Sequence, residues 1–124
     1  MKLIVTGSRD WESIEHFEII YRELSKFPAG TILVHGACWG VDTIADLIGR
    51  ELGFVIREYP ADWARYNNPA GMIRNHVMLK TEHQPAEPVN LVLAFHDNIE
   101  TSKGTKGMLR IAKKAKVPTL LISS

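Results

Sequence analysis

Five short apolar runs alternate along this chain with four stretches whose apolar residues recur every three or four positions. The runs are 2–6 (Lys-Leu-Ile-Val-Thr), 31–35, 54–59, 90–95 and 118–122, several of them rich in β-branched residues, and they predict strands buried on both faces. Ile14, Phe17, Ile20, Tyr21 and Leu24 mark a first amphipathic helix, with Asp10 as its expected cap and Pro28-Ala29-Gly30 as its stop. Val41, Ile44, Ala45, Ile48 and Leu52 mark a second, closed by Gly53. Asn68-Pro69 predicts the start of a third, with Asn as cap, Pro at the first helical position, and Ile73, Val77 and Met78 turned inward. A fourth is expected from about Lys103 to Lys116, burying Met108, Ile111, Ala112 and Ala115.

Strands that alternate with helices imply an α/β fold with a parallel sheet, because parallel neighbours need a crossover connection. The expected architecture is one domain over residues 1–124: an open five-stranded sheet in the order 3-2-1-4-5, with helices on both faces. That order puts the topological switch between strands 1 and 4, where ligands of such sheets bind beyond the carboxyl ends of the strands.

Four glycine-bearing turns fall at points where a strand would hand over to a helix. They are Thr6-Gly7-Ser8-Arg9, His35-Gly36 through Gly40-x-Asp42, Ala70-Gly71 before Arg74-Asn75, and Ser102-x-Gly104-Thr105. Helix starts of this kind present unpaired backbone N–H groups to an anion. In the first turn Gly7 permits close backbone approach, Ser8 offers a hydroxyl, and Arg9 pairs with phosphate; an ordinary βα turn with a surface arginine reads equally well. Asp42 repels a phosphate but suits ribose hydroxyls, and it also suits a helix dipole with no ligand at all. Trp39 stacks on a base or simply packs. Arg74 clamps a phosphate and Asn75 a sugar or base edge, unless both are merely exposed. The second turn is neither a P-loop nor G-x-G-x-x-G.

Composition narrows the choice. The 124 residues are 45% hydrophobic, enough for a core, and the net charge of +1 argues against a protein that relies on a basic nucleic-acid surface. A single cysteine, Cys38, forbids an internal disulfide. No run approaches the roughly 20 apolar residues of a membrane span, and the N-terminus reads as a strand rather than a leader, so a cytoplasmic protein is expected. The five histidines show no metal-binding spacing, no G-x-S-x-G elbow supports a serine nucleophile, and no metal or cofactor is called for. Asp62 and Glu58 are available as acid–base groups.

The ordered set Thr6-Gly7-Ser8-Arg9-Asp10-Trp11, His35-Gly36 with Gly40 and Asp42, Pro60-Ala61-Asp62-Trp63, Ala70-Gly71 with Arg74-Asn75, and Ser102-x-Gly104-Thr105 resembles the YspA/cpYpsA-related group of the SLOG superfamily. The resemblance covers nearly the whole chain. It implies a Rossmann-like fold that senses or processes nucleotide-derived ligands, with the site on Gly7, Ser8, Arg9, Gly36, Gly40, Arg74, Gly104 and Thr105. More distant similarity runs to cytokinin-activating phosphoribohydrolases and to DprA-type DNA-processing proteins. The phosphoribohydrolases resemble P-G-G-x-G-T-x-x-E, whereas Lys106, Gly107 and Met108 follow Gly104-Thr105 here, so the expected carboxylate is missing from that position. Arg74 matches their arginine. Asn67-Asn68-Pro69 also departs from the group, which often carries a glycine and a basic residue there.

The reading is therefore a nucleotide-binding protein. Phosphate is expected on Gly7-Ser8-Arg9 and on Ser102, Gly104 and Thr105, with Arg74 as the clamp; ribose or base is expected towards His35, Gly36, Trp39, Gly40, Asp42 and Asn75. The alternative is a nucleoside 5′-monophosphate phosphoribohydrolase with Arg74 and Asp62 as catalytic residues. Single-stranded DNA binding ranks last, for want of a basic stripe. A homodimer is expected by analogy with SLOG relatives.

Overall fold

The computed structural model describes residues 1–124. Strands β1 (Lys2–Gly7), β2 (Ile32–His35), β3 (Val55–Glu58), β4 (Leu91–Phe95) and β5 (Thr119–Ile122) alternate with helices α1 (Ile14–Leu24), α2 (Val41–Glu51), α3 (Trp63–Tyr66), α4 (Ala70–Glu82) and α5 (Lys103–Lys114). All strand pairs are parallel, in the order β3-β2-β1-β4-β5. This is the Rossmann-like order that the pattern predicts.

The two-residue period of the strands sorts the core into two halves. Leu3 and Val5 of β1, Leu33 of β2, and Leu93 and Phe95 of β4 join Ile20 and Leu24 of α1 and Val41, Ala45 and Ile48 of α2. Their neighbours Ile4, Val34, Val92 and Ala94 point the other way, to Met78 and Leu79 of α4 and Met108, Leu109 and Ala112 of α5. Each face of the sheet is thus sealed by one helix pair, and β1 is buried on both sides.

Several local expectations are corrected. Ser13, not Asp10, caps α1: its hydroxyl accepts the His16 N–H at 3.2 Å, and His16 Nδ1 returns to the Ser13 N–H, so a reciprocal box forms one turn later. Asp10 stays in the preceding turn, its N–H given to Ser8 Oγ at 3.0 Å. On α1 the apolar residues split into two stripes, because Ile20 and Leu24 are buried on the sheet side, with Ile19 partly buried beside them. Ile14, Phe17 and Tyr21 form an exposed stripe, with the Phe17 and Tyr21 rings stacked at 6.3 Å. Pro69 occupies the N-cap of α4, one residue later than predicted, and no side chain caps that helix. Val77 is exposed and Asn75 is buried, so the inward face of α4 is rotated from the expected one. Ala115 lies outside α5 and is exposed.

An ion network that includes Lys2 at the start of β1 and Arg57 of β3 joins distant parts of the chain. Lys2, 3% exposed, donates from Nζ to the Glu82 carbonyl at 2.8 Å and pairs with the Glu82 carboxylate at 3.0 Å. Arg57 Nη1 meets the same carboxylate at 2.7 Å, and the Tyr59 hydroxyl donates to its other oxygen. Burial works to raise the Glu82 carboxyl, yet the Tyr59, Lys2 and Arg57 hydrogen bonds hold it below the ordinary range. Burial and Glu82 push the Tyr59 hydroxyl up to about 12.

A carboxyl that is lowered on folding contributes stability above its unfolded pKa, and that contribution is lost as pH falls through the folded value. Glu82→Gln is therefore expected to narrow its stability deficit against the parent protein as pH drops below about 4. Urea midpoints of the two proteins at pH 7 and pH 3.5 check this. The difference between proteins is the readout, because Asp42, raised by burial, titrates in the opposite sense.

Candidate functional site

The glycine turns meet at the carboxyl edge of β1, β2 and β4 around one cavity of about 330 Å³. How they meet is set by close backbone contact. Gly40 has φ +85°, and a Cβ there would run into the Ser8 carbonyl oxygen and come within 2.7 Å of the Arg9 carbonyl carbon. The Val41 N–H donates to that Ser8 carbonyl at 3.0 Å, and the Ser8 N–H donates to Phe95 O at 2.9 Å. The β1 turn is thus clamped between the start of α2 and the end of β4.

Of the residues expected in the site, Gly7, Ser8, Arg9, Gly36 and Asp42 line the cavity. So do Arg74, Asn75, Ser102, Gly104 and Thr105. The Arg9 guanidinium lies 5.9 Å from the centre of the Trp63 ring. Arg74 is fixed by its own hydrogen bonds: Nη1 to Gly36 O at 2.5 Å and Nε to Asn75 Oδ1 at 2.9 Å. A Cβ on Gly36 would sit 2.5 Å from that Nη1, so the glycine is the seat of the arginine. Asn75 passes the linkage on, donating from Nδ2 to Gly104 O at 3.2 Å. Its amide is used in joining α4 to α5.

At the start of α5, Ser102 Oγ accepts the Thr105 N–H at 3.1 Å. The N–H groups of Lys103 and Gly104, the first two of the helix, have no intrahelical carbonyl to bond. A Cβ on Gly104 would meet nothing within 4 Å. Eight lining residues are not among the site residues read from the sequence, and four of them are titratable: Asp10, Cys38, His96 and Lys103. His96 Nδ1 accepts the Asn98 N–H at 2.9 Å, which makes Nε2 the proton-bearing nitrogen and a donor. Its position immediately after β4, at the switch point, was the available signal.

Asp42 is the acidic group buried at this cavity, 6% exposed. Oδ2 accepts the N–H groups of Gly36 at 3.1 Å and Cys38 at 3.2 Å, whereas Oδ1 is buried without any partner. Burial pushes the carboxyl above its usual range, against the opposing pull of those N–H groups and of Arg74.

Four expected residues lie outside the cavity lining. His35 turns the other way: Nε2 meets Asp46 at 2.7 Å and Nδ1 accepts the Ala37 N–H at 3.0 Å. With Glu58 these groups form a cluster whose ligand atoms lie within 4.8 Å of one another. The Ala37 N–H fixes Nδ1 as the acceptor, so Nε2 carries the proton and offers no lone pair to a metal. Trp39, 81% exposed, borders a separate groove with Arg9, Trp11 and Thr43. Gly40 is part of the clamp on the β1 turn rather than of the wall. Asp62 caps α3, accepting the Arg65 N–H at 3.1 Å, and is exposed outside the cavity lining.

The premise that the chain has no basic stripe is also corrected. Lys103, Lys106, Arg110, Lys113 and Lys114 are all exposed and recur at helical spacing along α5. Acidic residues concentrate in the first half of the chain, so the net charge of +1 conceals this separation.

A family model described as YspA, cpYpsA-related SLOG family matches residues 1–66, which include the β1 turn and the Gly36–Asp42 loop. The chain belongs to that SLOG family. It is also similar to the Gene 61 protein of Mycobacterium phage D29, at 31% identity over 125 residues that cover 96% of this chain and 94% of that protein. In this SLOG chain the Arg74 and Ser102–Thr105 contributions to the cavity come from beyond the residues matched by the family model. No helix is long and apolar enough to cross a membrane.

Proposed function

We propose that the protein binds a nucleotide or nucleotide-derived ligand, its phosphate held at the carboxyl edge of the sheet. The observation that carries this reading is the convergence of Ser8, Arg9 and the start of α5, with its unpaired Lys103 and Gly104 N–H groups, on one cavity. Helix-start N–H groups, two hydroxyls and the cations Arg9, Arg74 and Lys103 suit an oxyanion. SLOG membership supports a nucleotide-related ligand. Titration calorimetry with a panel of nucleotides tests it. Arg9→Ala is expected to weaken binding about tenfold with little change in stability, since that guanidinium has no carboxylate partner in the fold. No heat with any nucleotide, or unchanged affinity in the variant, overturns the reading.

A second reading, hydrolysis of a nucleoside 5′-monophosphate to base and ribose 5-phosphate, draws on Asp42. A buried carboxyl with an unpartnered oxygen, within the electrostatic reach of Arg74, is the candidate acid in place of Asp62. Chromatography for released base decides between turnover and binding alone. Single-stranded nucleic acid stays an alternative ligand because of the α5 stripe, and a salt-dependent gel shift is its mark. The homodimer belongs with these proposals. The exposed Ile14–Phe17–Tyr21 stripe of α1 supports it, and sedimentation equilibrium measures it.

A further inference from the structure

We infer that Asp42 makes the cavity selective for a ribosyl ligand: Oδ1 receives a hydroxyl of the sugar, and a nucleotide lacking both ring hydroxyls loses that contact. This rests on the nucleotide reading above and specifies which half of the ligand meets which wall.

The argument starts from an unmet need. Oδ2 of Asp42 accepts the Gly36 and Cys38 N–H groups, while Oδ1 of this cavity-lining residue is unpartnered and shielded from solvent. Buried polar atoms in folded proteins nearly always have a partner, and leaving one without is costly. A ligand that fills the cavity must therefore bring a matching group to Oδ1 or leave the deficit in place.

Phosphate does not meet that need. It offers acceptors alone when fully ionised, and its charge opposes that of the carboxylate. A phosphate is better placed at the start of α5 and the Ser8–Arg9 turn. The remaining donors on a nucleotide are the sugar hydroxyls, the exocyclic amino groups of some bases and the ring N–H of guanine and uracil. The cavity lining contains no Phe, Tyr or Trp, and its three apolar members are Val5, Cys38 and Met78. The flat groups of the lining are the His96 ring and the guanidinium planes of Arg9 and Arg74, smaller stacking surfaces than Phe, Tyr or Trp. A hydroxyl both donates and accepts, so it serves Oδ1 whether the carboxyl is ionised or protonated. This matters because burial raises the Asp42 carboxyl.

The test is calorimetry on the full chain with AMP, GMP, CMP and UMP and their 2′,3′-dideoxy counterparts. Each dideoxy compound is expected to bind about 10- to 100-fold more weakly than its parent, as suits one lost hydrogen bond to a charged group. Each pair shares its base and differs only in the ring hydroxyls, so the same loss across all four bases assigns the contact to the sugar. In Asp42→Ala the gap is expected to shrink to about twofold. That variant also removes two loop hydrogen bonds, so the parent protein's own preference decides the matter if the variant does not fold. Equal affinity for ribose and dideoxy forms overturns the inference. So does UMP binding poorly while dideoxy analogues of the other bases bind well, or a gap that persists in folded Asp42→Ala. Silence from all four ribonucleotides is a different result, and it removes the nucleotide reading itself.

Discussion

Gly104→Asp is expected to raise the thermal midpoint and to remove nucleotide affinity in the same protein. Residue 104 is the second residue of α5, and a side chain built there meets no atom within 4 Å. Replacing a helical glycine relieves roughly 0.5–1 kcal/mol of backbone entropy cost. A carboxylate in the first turn of a helix adds about 0.3–1 kcal/mol through the dipole. Together they amount to about 1 kcal/mol, or several degrees in midpoint for a domain of this size. For an anion at the same N–H groups, a fixed negative charge about 4 Å away costs on the order of 4 kcal/mol in a partly solvated site. Even half of that exceeds a tenfold loss, and about 100-fold is expected. Scanning calorimetry and nucleotide titration on the one variant read both effects. Retained affinity with a raised midpoint would place the phosphate elsewhere.

The second large effect comes from the same chemical change at two glycines. Gly40→Ala is expected to cost at least about 4 kcal/mol, the range that marks a specific structural fault. Two causes add. The φ of +85° strains any L side chain, and the new Cβ collides with the Ser8 and Arg9 backbone, which cannot rotate aside. The β1 turn must move, and with it the Val41-to-Ser8 hydrogen bond. Gly104→Ala is expected to be neutral or mildly stabilising, because its Cβ meets open space. Urea unfolding of both variants measures the contrast. Similar midpoints would mean that the clamp between the β1 turn and α2 carries little of the stability.

Strands and helices were legible because their signals are local. Ile32-Leu33-Val34 alternates between two cores, and Val41-x-x-Ile44-Ala45-x-x-Ile48 repeats at the helical period, whatever surrounds them. The errors share a cause. On α1, Ile14, Phe17 and Tyr21 have the spacing of a core stripe, but only the rotation of the helix against β1 and α2 decides that Ile20 and Leu24 are the buried ones. On α4 the apolar residues are spread around the helix, so Met78 and Leu79 are buried while Met72 and Val77 are exposed, and Asn75 is held inside by its links to Arg74 and Gly104. The four-residue α3 carries too little periodicity to be read.

In the candidate site, turn chemistry named Gly7, Ser8, Arg9, Arg74, Gly104 and Thr105 as neighbours, because glycine before a helix is a local signal. Chain order alone does not tell which way a loop side chain turns. His35 and Asp42 flank one loop, yet the Ala37 N–H draws His35 towards Asp46 while the Gly36 and Cys38 N–H groups draw Asp42 to the cavity. Lys2 and Glu82 likewise reveal nothing of each other at a separation of 80 residues.

The amino-acid order by itself determined the α/β class, the number of strands, their arrangement and the set of turns that meet at one edge. Those properties follow from hydrophobic period and from the backbone freedom of particular residues, which act over a few positions. Only the folded molecule decided which atoms are left without partners, and Asp42 Oδ1 is the one that matters here. A hydrogen-bond deficit depends on every group packed within a few ångströms, and those groups are brought together from distant parts of the chain.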